Sequence, residues 1–298
     1  MGSKHTDGDY AIVGCGRLGC TVASGLVASG RTVACIYDHS GAAARALADR
    51  LPGTGIARDL RSIAQDVQTI FVTVPDREIH KVATALDVTS QQGVVHCSGA
   101  TDLRVLSTCA THGAEVACFH PLQSFPDTEG DKERLSNIAI GIEASGALEA
   151  RLLHLVDDLE SRTVRLEGVD RSAYHAAAVF VSNYLVALFS AATKAWSAAG
   201  LRAEDARTAL GPLSAGTLDA IAAAPLRDAL TGPVARGDIA TVQAQLQTLA
   251  SDPELATLYR MLAIELLSLG LPSSGAQQRQ LLAALEQEQG FERKPPKS

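Results

Sequence analysis

The sequence predicts an α/β protein in two parts. A mostly parallel, doubly wound sheet is expected over residues 1–168, an all-α region over residues 169–290, and a polar tail at 291–298. Three observations carry this expectation. Short β-branched runs alternate with segments of helical periodicity through the first half, the pattern of strands joined by crossover helices. A glycine turn, GCGRLG at 14–19, stands between the first such run and the first helical segment. Beyond Arg171 the strand-like runs disappear and alanine- and leucine-rich stretches take over.

Taken in order, the runs predict strands at 10–13, 32–37, 69–74, 93–97, 115–119, 137–142 and 163–166. Helical spacing of apolar residues places crossover helices at 41–51, 77–86 and 146–159. The stretch SAYHAAAVFVSNYLVALFSAATKAWSAAG at 172–200 predicts one helix of ~8 turns closed by Gly200. It is apolar on most sides, so burial at a domain or subunit interface is expected. Pro225, Gly232, Pro233, Gly237 and Pro253 divide the rest of the chain into shorter helical pieces. FERKPPKS at 291–298 is polar and carries a proline pair, which predicts disorder. No repeat of 20–50 residues is visible.

Composition fits this division. With 46% hydrophobic and 20% charged residues, a chain of 298 can build two ordinary cores. A formal charge of −7 and the lack of a polybasic face argue against gripping nucleic acid through its phosphates. No uninterrupted apolar run approaches the ~20 residues of a membrane span, and MGSKHTDGDY has no apolar signal core. A cytoplasmic protein is expected. The cysteines at 15, 20, 35, 97, 109 and 118 show no CxxC spacing and read as buried free thiols without a redox or metal role.

Gly14, Gly16 and Gly19 form GxGxxG, with a strand before, a helix after, and an acid, Asp38, at the end of the second strand. The first glycine permits the tight turn, the second lets backbone approach a diphosphate, and the third lets helix and strand pack closely. Arg17 and Leu18 open the helix, whose unpaired N–H groups favour an anion. A purely structural glycine turn is the plainer alternative, but the complete βαβ context favours a Rossmann dinucleotide site. Asp38 can accept from both ribose hydroxyls and would repel a 2′-phosphate, which favours NAD(H) over NADP(H). Arg31 or Arg45 can offset that preference, and an acid here also serves as a helix cap.

Ligands of such sheets bind beyond the carboxyl ends of the strands. Those ends read VPDRE at 74–78, HCSGA at 96–100 and FHPLQSF at 119–125. Val74 and Pro75 offer the cofactor backbone and an apolar wall. Ser98 and Gly99 offer a hydroxyl and a close backbone approach. His96 and His120 come together if their strands are neighbours; a third ligand at metal spacing is missing, so zinc is not expected. Each imidazole serves equally well as a structural group. The loop 120–130, shaped by Pro121 and Pro126 and carrying Gln123, is expected to wall the cleft. His175 and Asn183, eight apart, share a helix face, and polar groups on so apolar a helix need partners or a function. Arg236, beside Thr231 in LTGPVARGD, either clamps a carboxylate or pairs with Asp238 while Asp238 caps the next helix.

The glycine turn, VPD, HCSGA, FHPLQSF, YHAAAVFVSNYLVAL and LTGPVARGD together resemble a bacterial group of Rossmann-like proteins carrying a domain of unassigned function. That group is similar to ketopantoate reductases and the wider 6-phosphogluconate-dehydrogenase-like superfamily. The resemblance runs from Tyr10 to Leu269; FHPLQSF and LTGPVARGD are specific, the glycine turn is not. It implies an NAD(P)H-dependent reductase with a helical second domain that closes over the nicotinamide and often forms homodimers. The family's lysine proton donor falls on His175 and its two asparagines on Val179 and Asn183, so the lysine and one asparagine are replaced here. Members often carry arginine where Asp38 stands. The expected reaction is reduction of a small keto acid, with ketopantoate as the substrate suggested by resemblance. His175 would act as acid, Asn183 and Ser98 would orient the carbonyl, and His120, Gln123, Thr231 and Arg236 would bind substrate. Oxidation in the manner of prephenate dehydrogenases, whose HP pair is similar, is the alternative chemistry. A nicotinamide-nucleotide sensor or scaffold that has lost catalysis is the alternative class.

Overall fold

The structure, a computed structural model, describes residues 9–64, 67–270 and 275–286; the tail expected at 291–298 lies outside them. The chain divides into two compact units between Ser182 and Asn183.

The first unit is built on eight strands: β1 (Tyr10–Val13), β2 (Val33–Tyr37), β3 (Gly55–Ile56), β4 (Thr69–Val72), β5 (Gly93–His96), β6 (Glu115–Pro121), β7 (Ala139–Glu143) and β8 (Arg162–Arg165). They lie in the order β3-β2-β1-β4-β5-β6-β7-β8. Every pairing is parallel except β6 with β7. The seven expected strands are present with ends displaced by at most two residues. The short β3 was not expected, because its two residues are exposed and carry no pattern.

Helices α1 (Arg17–Ala28), α2 (Gly41–Ala48), α3 (Asp76–Ala85), α4 (Ser107–Thr111) and α5 (Gly146–Asp158) cover the sheet. Alternate strand residues enter opposite layers. Ile12, Phe71, Val95 and Phe119 pack with Leu26 of α1 and Leu152 of α5. Ala11, Val13, Ile70, Val72 and Val94 pack with Ile79 and Val82 of α3. A sheet buried on both faces explains why its strands read as unbroken apolar runs. All six cysteines are free; five are buried and Cys35 is half-buried.

The helix expected over 172–200 is interrupted. Asp170 caps α6 (Arg171–Val181) by accepting from the N–H groups of Ser172 and Ala173 at 2.9 and 3.1 Å. Ser182 leaves helical geometry (φ −116, ψ −74), and its hydroxyl donates to the Ala178 carbonyl at 2.7 Å. Such back-bonding competes with the helical ladder. Helix α7 (Asn183–Ala198) begins the second unit. Helix α6 belongs to the first unit, where Arg171 pairs with Glu143 and Tyr174 meets His120. By length and composition alone Arg171–Ala198, with mean hydropathy 1.6 over its most apolar 18 residues, passes for a membrane span.

The second unit comprises α7, α8 (Ala203–Ala223), α9 (Leu226–Ala229), α10 (Pro233–Arg236), α11 (Ile239–Leu249), α12 (Pro253–Leu267) and α13 (Gly275–Glu286). A small core of Val234, Val242, Leu246, Ala263, Leu281 and Leu285 joins the last four. Prolines open helices as expected: Pro233 starts α10 and Pro253 starts α12. LTGPVARGD is accounted for by this geometry. Gly232 turns at φ +96, Gly237 closes α10 in the left-handed region, and Asp238 caps α11 by accepting from the Thr241 N–H at 3.1 Å. Helix α7 buries no residue, and Val186, Leu213 and Leu218 of α7 and α8 are exposed.

Candidate active site

The glycine turn assigns each glycine a separate task. Gly14 adopts φ +102, and a Cβ there would lie 2.9 Å from the Thr73 carbonyl and 3.0 Å from Val74 Cγ1. A Cβ on Gly19 would fall on the Gly14 carbonyl oxygen and 2.7 Å from Thr73 Oγ1. Thr73 locks this crossing by donating to the Gly14 carbonyl at 2.7 Å and the Val13 carbonyl at 3.1 Å. Gly16 differs: a Cβ there would meet nothing within 4 Å. It is also the N-cap of α1 and offers no side chain to the first-turn N–H groups of Arg17 and Leu18. An unshielded helix start beside open space suits a diphosphate. Asp38, at the end of β2, accepts from the Cys15 N–H and the Ser40 N–H, both at 2.7 Å, and His39 Nδ1 lies 3.1 Å from it. Its carboxylate is thus tied to the turn and aimed beside it. Burial, with Asp38 and Cys20 adding to it, pushes the Cys15 thiol up to about 12, so it stays protonated.

Three strands away a second constellation occupies the same sheet edge. Strands β5 and β6 are neighbours, which brings His96 and His120 together. Their partners come from α6. His120 Nδ1 lies 2.9 Å from the Tyr174 hydroxyl, and the His120 and His175 rings meet edge-on with centroids 6.1 Å apart. The Arg171 guanidinium, buried, ion-pairs with Glu143 of β7 and reaches Cys118 Sγ at 3.4 Å. Burial holds His120 down at about 4, helped by the positive potential of His175 and Arg171 against the pull of Asp76. Burial likewise holds the fully buried His96 at about 4, with Arg171 and His120 adding to it. Ser98 donates its N–H to His96 Nδ1 at 3.2 Å, which places the His96 proton on Nε2. His175 Nδ1 and His96 Nε2 are buried with no hydrogen-bond partner among the described residues. Orphaned polar atoms are costly unless a ligand or water completes them.

Comparison with known proteins places this geometry. Residues 4–121 match the family model of a Rossmann-like domain. Residues 138–266 match that of a domain of unknown function, DUF2520. No curated protein matches. Among solved structures, a candidate NADP oxidoreductase from Bacteroides fragilis is similar at TM-score 0.69 and 23% identity, over 87% of this chain and 98% of that one. An imine reductase from Myxococcus stipitatus in complex with NADP+ reaches TM-score 0.63 at 16% identity, over 92% of this chain and 99% of that one. A 1-pyrroline-5-carboxylate reductase from Streptococcus pyogenes reaches 0.61 at 15%, over 87% of this chain and 98% of that one. At these identities the likeness is one of fold.

Within the Rossmann-like domain, Val74 is half-buried with its Cγ1 against Gly14, and Pro75, exposed, is the N-cap of α3. Ser98 is 5% exposed, and its hydroxyl is engaged within its own turn: it donates to Thr101 Oγ1 at 2.8 Å and accepts from the Thr101 N–H at 3.2 Å. Gly99 lies against the His120 ring. Gln123 is exposed and accepts from the Ser124 N–H at 2.8 Å. Arg31 is buried and paired with Asp158 at 2.8 Å, so it is not free to swing toward Asp38. Arg45 lies with its guanidinium over Gly41 at the start of α2. In the second unit, Thr231 lines an apolar pocket of about 320 Å³ with Val234, Tyr259 and Leu266. Arg236 is exposed and contributes to holding the Asp238 carboxyl low, after the hydrogen bonds from Thr241. Asn183 opens α7. Tyr174, Arg171 and Glu143 were not anticipated. The signal for Tyr174 was the one that singled out His175, a polar group on an apolar helix.

Proposed function

We propose that this chain is a nicotinamide-nucleotide-dependent oxidoreductase that reduces a small keto acid. One observation carries the reading: a glycine turn open at Gly16 and a half-buried to buried histidine cluster lie on the same edge of one mostly parallel sheet. The nucleotide, when bound, supplies the hydride. Gly14, Gly16, Arg17, Leu18 and Gly19 would hold its diphosphate, Asp38 its adenosine ribose, and Val74 with Pro75 would border its path. His175 carries the proton to the developing alkoxide, because its buried Nδ1 has no partner among the described residues and an imidazole can both give and take a proton. His120 faces the same space. Asn183, Gln123, Thr231 and Arg236 enter as substrate contacts through the resemblance alone.

Asp38 favours NAD(H), while Arg45, its guanidinium over Gly41 at the start of α2, offers a partner to a 2′-phosphate, and two of the similar structures are described with NADP. A second reading is supported by those neighbours: the reduced bond is C=N, as in the imine and pyrroline-carboxylate reductases. The exposed apolar side chains of α7 and α8 fit a homodimer, to be checked by light scattering. Because Arg171 and Tyr174 dock the first half of the apolar segment onto the sheet, we read the chain as cytoplasmic rather than membrane-bound. The deciding experiment is calorimetric titration with NADH and NADPH, then a panel of keto acids and cyclic imines with the tighter one. Turnover of a keto acid supports the first reading and turnover of imines alone the second. Binding without any turnover leaves the sensor, and absence of binding removes all three.

A further inference from the structure

Tyr174 has no task in hydride or proton transfer. Its phenol meets His120 edge-on, ring centroids 5.5 Å apart and oxygen 2.9 Å from Nδ1. Two glycines make this possible. A Cβ on Gly141 would lie 2.6 Å from the phenol oxygen, and a Cβ on Gly99 would lie 2.6 Å from His120 Cε1 and 2.7 Å from Nε2. The imidazole is therefore clamped, with Nδ1 on the phenol and Nε2 beside the bare Cα of Gly99. A phenol O–H is a much stronger acid than a neutral imidazole N–H, so Tyr174 donates and Nδ1 accepts. A neutral imidazole that accepts at Nδ1 carries its proton at Nε2.

We propose that Tyr174 is a positioning residue that fixes His120 as its Nε2–H tautomer, so that His120 acts as a neutral N–H donor to the substrate's carbonyl oxygen while His175 carries the transferred proton. The substrate half of this rests on the reductase reading; the tautomer half does not. The charged and titratable groups facing His120 are His175 and Arg171 on α6, Asp76 on α3, and His96 on β5. Of these, His175 and Arg171, together with burial, keep His120 uncharged well below neutral pH, against the pull of Asp76. Burial also pushes the Tyr174 phenol up to about 12, so it remains a donor. An uncharged imidazole with so low a pKa is a poor proton carrier at neutral pH, where a general acid needs a matched pKa. A pre-aimed N–H that never gives up its proton suits transition-state stabilisation instead.

The test is 15N-detected NMR of histidine side chains in the full chain, with His120 assigned by its loss in His120→Gln. The expected wild-type signature is protonated Nε2 and bare Nδ1, unchanged from pH 8 to 5.5. In Tyr174→Phe the two tautomers should mix, kcat should fall ~10-fold or more as an oriented donor is lost, and the KM for nucleotide should not move. A wild-type Nδ1–H tautomer, titration near pH 6.5, or a Tyr174→Phe spectrum identical to wild type overturns the proposal. The wild-type spectrum decides even where the variant fails to fold. The expected tautomers without turnover of any substrate would instead sink the reductase reading and leave Tyr174 as the residue that sets His120.

Discussion

Replacing Gly16 and Gly19 by alanine, one at a time, separates two jobs that the glycine turn combines. At Gly16 the backbone (φ −76, ψ −170) is open to any residue and the added methyl meets nothing within 4 Å. The fold then loses only the small preference for glycine over alanine at an N-cap, ~0.5 kcal/mol. That corresponds to about 1–2 °C in Tm for a protein of this size. The same methyl enters the space assigned to the diphosphate. Loss of one charge-assisted amide contact costs ~1.5–3 kcal/mol, or roughly 10- to 100-fold in Kd. At Gly19 the methyl falls on the Gly14 carbonyl and Thr73 Oγ1, both fixed by hydrogen bonds, so α1 must back away from β1. Overpacking of this kind costs ~1–3 kcal/mol, about 3–10 °C in Tm. Scanning calorimetry reads the first quantity, and isothermal titration with NADH and NADPH reads the second. A Gly16→Ala protein that binds both nucleotides like wild type, or a Gly19→Ala protein that melts like wild type, would refute the assignment.

Three further perturbations test the remaining parts. His175→Ala should lower turnover ~10²-fold while the nucleotide Kd is unchanged, as loss of a general acid requires; steady-state kinetics beside titration checks it. Asp38→Asn removes a charge next to the 2′-position and should raise the NADPH:NADH affinity ratio about tenfold, since a unit charge at ~4 Å near a surface is worth 1–4 kcal/mol. The same change leaves either the Cys15 or the Ser40 N–H facing an amide NH₂ and should lower stability by ~1–2 kcal/mol. His96 should make stability depend on pH. Its folded pKa of about 4 lies below the ~6.5 of the unfolded chain, so as pH falls the unfolded state takes the proton first. The stabilisation is full above ~6.5 and is lost between there and about 4, up to ~3 kcal/mol in all. Urea titrations at pH 7.5, 6 and 5 measure that slope. His96→Gln should reduce it, leaving the part due to His120, and an undiminished slope would exclude His96 as its source.

Strands were legible because a sheet covered on both faces demands mostly apolar residues on both sides of each strand, as IFV in β4 and VV in β5 show. The glycine turn was legible because each glycine answers a different steric demand. What failed to show were features fixed by single contacts. The break at Ser182 interrupts an unbroken alanine- and leucine-rich pattern, and the hydroxyl bond from Ser182 back to Ala178 has counterparts at Thr21 and Thr193 inside intact helices, so no residue type marks it. Ser98 read as an available hydroxyl, although SGAT places a second hydroxyl three residues on, and Thr101 takes it. Arg31 read as a cation near the adenosine end, yet Asp158, far along the sequence, holds it. The pair of Arg171 with Glu143 has no local signature, because the antiparallel return of β7 brings them together.

The order of the strands limits what can bind along the site edge. Asp38 leaves the end of β2, the glycine turn the end of β1, and His120 the end of β6, with β4 and β5 between the last two. At ~4.8 Å between neighbouring strands, a ligand reaching from Asp38 to His120 must span four steps, ~19 Å. A mononucleotide seated on the turn cannot touch both ends, whereas two nucleotides joined at a diphosphate over Gly16 can. The acid at one end and the imidazoles at the other are thus useful to the same ligand only if it is about that long, as a dinucleotide is. ADP-ribose titrated beside AMP makes that distinction without any substrate. Binding of ADP-ribose that weakens at least tenfold in Gly16→Ala, with AMP far weaker in wild type, is the outcome the strand order requires; equal affinity for the two would mean that the two ends of this edge serve different ligands.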